Sequence, residues 1–134
     1  MMKIFNLLIA DRNPHIRNFL KREMEAEGYH VQLAKNAREV LNVIYSSEPI
    51  DLAIVDLDLP GANELNLLRC LEDRIPVLPF VIHSYVSDYR ETSSNFRSAT
   101  IVPKQGSSSE TLKDVIKDLL MKSYPKRFKT PVNP

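Results

Sequence analysis

Apolar residues along the chain fall into two alternating rhythms. Residues 4–10, "IFNLLIA", form a nearly continuous apolar run of strand length, and Asn13 followed by Pro14 supplies an N-cap with proline at the first helical position. The helix this predicts carries Ile16, Phe19, Leu20 and Met24 at helical spacing, with Lys21, Arg22, Glu23 and Glu25 mostly off that stripe and Gly28 as its left-handed cap. Tyr29, Val31 and Leu33 then alternate with His30 and Gln32, the period of a strand with one wetter face. Asn36 and Glu39 resemble a capping box, opening a helix whose face is Ala37, Val40, Leu41 and Ile44 and which ends by Glu48 and Pro49.

The second half repeats the alternation. Residues 52–55 are continuously apolar, as in a strand covered on both faces, and Leu65, Leu68 and Leu71 predict the buried stripe of the next helix. Residues 80–82 predict a fourth strand and Ile101 with Val102 a short fifth. Leu112, Val115, Ile116 and Leu119 mark a final amphipathic helix after the serines at 107–109. Residues 87–96, rich in Ser, Thr and Asn, make the poorest helix and are expected to be the softest part of the fold. Strands alternating with helices imply right-handed crossovers and a parallel sheet between helix layers. Chemistry on such a sheet gathers at the carboxyl ends of the strands.

Composition narrows the setting. A chain of 134 residues, 43% hydrophobic, supports one core and leaves no room for a second domain. We expect the domain to occupy residues 1–122, with residues 123–134 as a basic, proline-containing tail or linker. With 18 Lys and Arg against 17 Asp and Glu, no global field draws the domain to nucleic acid or an anionic membrane. Cys70 is the only cysteine, which excludes a disulfide framework and a thiolate metal cage, and His15, His30 and His83 show no zinc-like spacing. The amino terminus suits neither a signal peptide nor a membrane span, so a cytoplasmic setting is expected.

At the strand ends stand Asp11 and Arg12 after the first strand, Asp56 after the third, Ser84 after the fourth and Lys104 after the fifth. Two carboxylates with a hydroxyl and an ammonium suit a phosphoryl group: the carboxylates hold a hard divalent cation, while Ser and Lys take the phosphoryl oxygens. Asp56 is itself a candidate nucleophile, forming an acyl phosphate.

The ordered set "LLIADRNP", "DLAIVDLDLPG", "VIHS" and "IVPK" resembles the receiver domain of two-component response regulators, over residues 4–120. The resemblance implies an α/β, flavodoxin-like (βα)5 doubly wound parallel sheet, ordered 2-1-3-4-5. It implies Asp56 as phospho-acceptor, and Asp11, Asp56 and the Asp58 backbone carbonyl as ligands of Mg²⁺. Ser84 becomes the switch hydroxyl and Lys104 the phosphate-contacting lysine. The implied partners are a histidine kinase or phosphotransfer protein, then a downstream effector or a second copy; the domain acts by contact rather than turnover and is not an enzyme. The chain departs from the family at several positions. Arg12 stands where a second acid is usual, weakening the Mg²⁺ site and placed to pair with Asp56. Tyr85 replaces a small residue, Gln105 a proline, Glu64 a glycine and Ile101 an aromatic.

Two further readings share these residues. One is a phosphorylation-independent pseudo-receiver, a dimerisation or docking module on the same fold. The other is a haloacid-dehalogenase-like phosphatase with Asp56 as nucleophile and Asp58 as acid-base; against it, the "VDLDLP" stretch follows the third strand rather than the first, and Leu59-Pro60 comes next.

Overall fold

Strand β3 (Leu52–Val55) is buried at every residue, and a strand with no wet face must be covered on both sides. The computed structural model, which describes residues 4–85, 96 and 98–128, shows how. Strands β1 (Asn6–Ala10), β2 (His30–Ala34), β4 (Phe80–Ser84) and β5 (Ala99–Pro103) join β3 in one parallel sheet ordered β2-β1-β3-β4-β5. Around it lie helices α1 (Pro14–Ala26), α2 (Ala37–Ile44), α3 (Leu67–Asp73) and α4 (Ser108–Ser123), with a 3₁₀ turn at Pro125–Phe128. The order 2-1-3-4-5 is that of the expected flavodoxin-like sheet.

Strand alternation splits the interior into two layers. Leu8, Ala10, Ala53, Val55 and Ile82 pack with Val40 and Ile44 of α2 and Leu67 and Leu71 of α3. Leu7, Ile9, Leu52, Ile54 and Val81 pack with Leu20 and Met24 of α1 and Leu112, Ile116 and Leu120 of α4. Successive strand residues point to opposite faces, so each helix pair receives every second side chain. The helix signals act as expected: Asn13 Oδ1 accepts from the N–H of His15 at 2.9 Å. Asn36 Oδ1 accepts from Glu39 N–H at 2.9 Å, and Glu39 reaches back to Lys35 N–H at 2.8 Å. Gly28 closes α1 at φ +97°.

Three expectations need correction or bounding. Leu71 is buried in α3 as expected, but the other fully buried leucine is Leu67, while Leu65 and Leu68 are only partly buried against the core. The loop after Pro60 takes a further turn, with Leu65 N–H on Gly61 C=O and Leu67 N–H on Ala62 C=O. Asn66 then sits in the left-handed region at φ 51° and resets the helix.

Of the residues expected as a tail or linker, 124–128 pack on the domain. Tyr124 donates its hydroxyl to Asp51 C=O at 2.8 Å, and Arg127 donates to Asp51 Oδ1 at 2.7 Å and to Ile4 C=O at 3.0 Å. The Arg127 guanidinium lies 3.9 Å from the Phe5 ring centroid, and Phe128 stacks on Phe5 at 5.2 Å. Asp51, which also accepts Asn6 N–H at 2.7 Å, is the buried carboxylate this segment neutralises.

The soft segment expected at residues 87–96 lies outside the described residues except for Phe96, whose ring meets Phe80 edge-on at 6.4 Å. Among the described residues no helix is long and apolar enough to cross a membrane.

Candidate functional site

Because the strands are parallel and in near register, β1, β3 and β5 deliver their following residues, and β4 its last residue, to one edge. Asp56 N–H bonds to Ala10 C=O at 3.0 Å, and Lys104 N–H to Ser84 C=O at 2.9 Å. These backbone bonds extend the ladder by one residue and fix where the side chains start. Asp11, Asp56 and Ser84 are all buried there.

The side chains close into one network. Lys104 Nζ lies 2.8 Å from Asp11 Oδ2 and 2.7 Å from Asp56 Oδ2. Ser84 Oγ donates to Asp56 Oδ1 at 2.8 Å and accepts Leu57 N–H at 2.7 Å. Asp58 N–H donates to Asp56 Oδ1 at 3.0 Å, and Asn13 N–H to Asp11 Oδ1 at 2.9 Å. The four residues read from the strand ends, Asp11, Asp56, Ser84 and Lys104, are therefore brought together.

Burial and hydrogen bonding act on these groups in opposition. Burial pushes Asp56 up, but Lys104, the Asp58 N–H and Ser84 outweigh it and hold the carboxyl below its ordinary value. Asp11 goes the other way: burial prevails over Lys104 and the Asn13 N–H, and its pKa is raised. For Lys104 burial favours the neutral amine, yet the bonds to Asp11 and Asp56 raise its pKa and keep it charged. Behind it, burial and the Lys104 charge hold His83 down to about 4, neutral at physiological pH. Its Nε2 lies 3.2 Å from Ser108 Oγ at the start of α4.

The expected pairing of Arg12 with Asp56 is not formed. Arg12 instead donates to Asp58 Oδ2 at 3.0 Å, because Lys104 already occupies Asp56 Oδ2. Both partners of this pair are about three-fifths exposed, so it is worth at most ~1 kcal/mol. Arg17 donates to the carbonyls of Asp11 at 2.8 Å and Arg12 at 3.2 Å. The sequence offered no sign of that role, since an arginine on a helix flank reads as a solvated charge. Tyr85 is exposed, with its ring centroid 5.2 Å from Lys104 Nζ. Gln105 accepts Ser108 N–H at 3.0 Å and so helps open α4. Glu64 lies exposed in the loop before α3, and Ile101 is exposed on β5.

Asp11, Arg12, Asp56, Asp58, Tyr85 and Lys104 line a cleft of about 370 Å³. Its donor set fits Mg²⁺ poorly. Every oxygen of Asp11 and Asp56 already accepts from Lys104, Ser84 or a backbone N–H. The third carboxylate, Asp58, is held by Arg12, and among the described residues no three His, Cys, Asp or Glu side chains group as a metal site. Two carboxylates and one carbonyl, facing two cationic side chains, are a thin share of an octahedral shell.

Comparisons with known proteins bear on the family and the fold. Over 109 residues the chain is 28% identical to the DNA-binding transcriptional regulator NtrC of Proteus hauseri, covering 80% of this chain and 23% of that one. It is 32% identical over 85 residues to the response regulator MprA of Mycolicibacterium vanbaalenii, covering 61% of this chain and 36% of that one. The chain thus spans well under half the length of these relatives. The crystal structure of the response regulator TrrA from Thermotoga maritima, in complex with Mg²⁺ and BeF, superposes with a TM-score of 0.74 at 27% identity, covering 87% of this chain and 99% of that one. The family model described as the response regulator receiver domain matches residues 7–117. Fold, strand-end residues and family match converge: this chain belongs to the receiver domains of two-component response regulators.

Proposed function

We propose that Asp56 is the phospho-acceptor of this receiver, taking a phosphoryl group from the phosphohistidine of a histidine kinase or phosphotransfer protein. The observation that carries the reading is the state of Asp56: a buried carboxylate held ionised at the end of β3 by Ser84 and Lys104. In the transfer an Asp56 oxygen attacks phosphorus, the P–N bond breaks, and the imidazole leaves, taking a proton from solvent. Lys104 and Ser84 then move their hydrogen bonds from the carboxylate to the new phosphoryl oxygens. Since Ser84 ends β4 and Lys104 follows β5, that exchange pulls on the β4–β5 edge. The altered edge is what a downstream effector or a second copy reads by contact, in a cytoplasmic setting.

The test is incubation with phosphorylated kinases and phosphotransfer proteins, followed by separation of the acid-labile phosphoprotein. Label on the wild type that disappears in Asp56→Asn is the expected result; label that persists in Asp56→Asn removes Asp56 from the role. The Arg12–Asp58 pair across the cleft favours a second reading, a phosphorylation-independent docking module. Its signature is a partner bound equally by wild type and Asp56→Asn, with no label from any donor.

A further inference from the structure

We infer that Arg12, together with Lys104, stands in for a divalent cation, so that this pocket takes up a phosphoryl group on Asp56 without Mg²⁺. The inference rests on the acceptor reading above and adds the source of positive charge.

An acyl phosphate puts more negative charge at Asp56 than the carboxylate it replaces, and because Asp56 is buried that charge needs a counter-ion close by. Lys104 supplies one positive charge but is shared, bonded to Asp11 as well as Asp56. Arg12 supplies the second from the mouth of the same cleft. Its guanidinium is aimed across that mouth by Asp58, whose own N–H is bonded to Asp56 Oδ1. Arg12 is therefore linked to the acceptor through one residue, Asp58.

The Arg12–Asp58 bond is easily given up. Both side chains are largely solvated, so the pair is screened and weak. A guanidinium fork binds phosphoryl oxygens in a bidentate, charge-assisted way that one exposed carboxylate cannot match. Arg12 can thus swing from Asp58 to a phosphoryl group with little loss. Its main chain is already anchored for this, since Arg17 holds its carbonyl. A metal ion, by contrast, has to displace Lys104 from two carboxylates and then sit beside Arg12, where like charges repel.

Beryllofluoride is the probe, because it forms an adduct on a carboxylate that mimics the phosphoryl group and leaves no hydrolysis to follow. Thermal melts of the full chain with beryllium chloride and sodium fluoride are run in buffer stripped of divalent cations by chelating resin, and again with millimolar Mg²⁺. Fluoride alone is the control, and the variants are Arg12→Gln and Asp56→Asn. Arg12 is exposed and outside the core, so Arg12→Gln retains the fold. The expected result is a wild-type melt raised by beryllofluoride without metal, and half-maximal at nearly the same concentration with Mg²⁺. Arg12→Gln should need roughly ten- to hundredfold more of it in stripped buffer, the cost of one charge-assisted hydrogen bond.

A wild-type response seen only with Mg²⁺ overturns the inference and leaves Asp56 as acceptor. Arg12→Gln responding like wild type in stripped buffer overturns the role of Arg12. A response that survives Asp56→Asn, or none under either condition, overturns the acceptor reading and the inference with it.

Discussion

The ammonium of Lys104 lies 2.7 Å from Asp56 Oδ2, joining two residues 48 positions apart in the chain. Asp11 shares the same ammonium, and all three side chains are nearly closed to solvent. Removing the cation leaves two buried carboxylates facing each other. Lys104→Met should therefore destabilise the domain by about 3–5 kcal/mol, read from urea unfolding at neutral pH. Adding Asp56→Asn to that variant removes one uncompensated charge and should restore part of the loss. A Lys104→Met cost below about 1 kcal/mol, with no recovery in the double variant, means the triad is not what holds this edge together.

Arg12→Asp should show two opposite signs. The new carboxylate joins Asp11, Asp56 and a now unpaired Asp58 at the cleft, so without metal the acids repel and the melting temperature falls. With the positive charge gone and an oxygen ligand added, Mg²⁺ should now bind and restore the melt by linkage, about 2.7 kcal/mol at a hundred times the dissociation constant. Melts of both proteins in stripped buffer and in millimolar Mg²⁺ check this. An unresponsive variant shifts attention to Tyr85, which lies against Lys104, and makes Tyr85→Ala the next substitution.

The buried His83 predicts a pH dependence. Its pKa falls from 6.5 to about 4, through burial and then the Lys104 charge, with Asp56 opposing. Between those values the unfolded chain binds a proton that the folded chain refuses, so stability declines as pH falls from 6.5 toward 4. The full contribution is about 3 kcal/mol. Asp56, held below 3.8, adds loss only at lower pH, while Asp11, raised above 3.8, works against the His83 slope. Urea midpoints measured from pH 7 to 4 should flatten in His83→Leu, and an unchanged slope would mean that His83 is not the titrating group.

At the opposite end of the sheet, Arg127 pairs with Asp51 and covers Phe5. Arg127→Ala leaves the Asp51 carboxylate with less compensation and uncovers an aromatic ring, for an expected loss of about 1–3 kcal/mol. Hydrogen exchange gives a local check: the Asn6 amide, bonded to Asp51 Oδ2, should lose protection before the amides of β3. Equal protection in variant and wild type argues that the 3₁₀ turn only rests on the sheet.

Much of this molecule is written in local pattern. The 3.6 and 2.0 periods, the caps at Asn13 and Asn36 and the glycine at 28 act over one or two turns and need no distant partner, so strand and helix order is legible residue by residue. Once the sheet is known to be parallel, the residues after the strands must share an edge, and Asp11, Asp56, Ser84 and Lys104 follow from that alone. Which of them bonds to which does not follow. Arg12 could be placed near Asp56 from sequence, but only the folded sheet brings Lys104 to the same oxygen and leaves Arg12 for Asp58. The start of α3 likewise depends on Asn66 adopting a left-handed backbone inside a loop shaped by its neighbours. The basic turn at residues 125–128 looks like a solvated tail until Asp51, 76 positions before Arg127, is seen to be buried beneath it. Charges choose partners by distance and desolvation, and both are set only when segments far apart in the chain have closed around them.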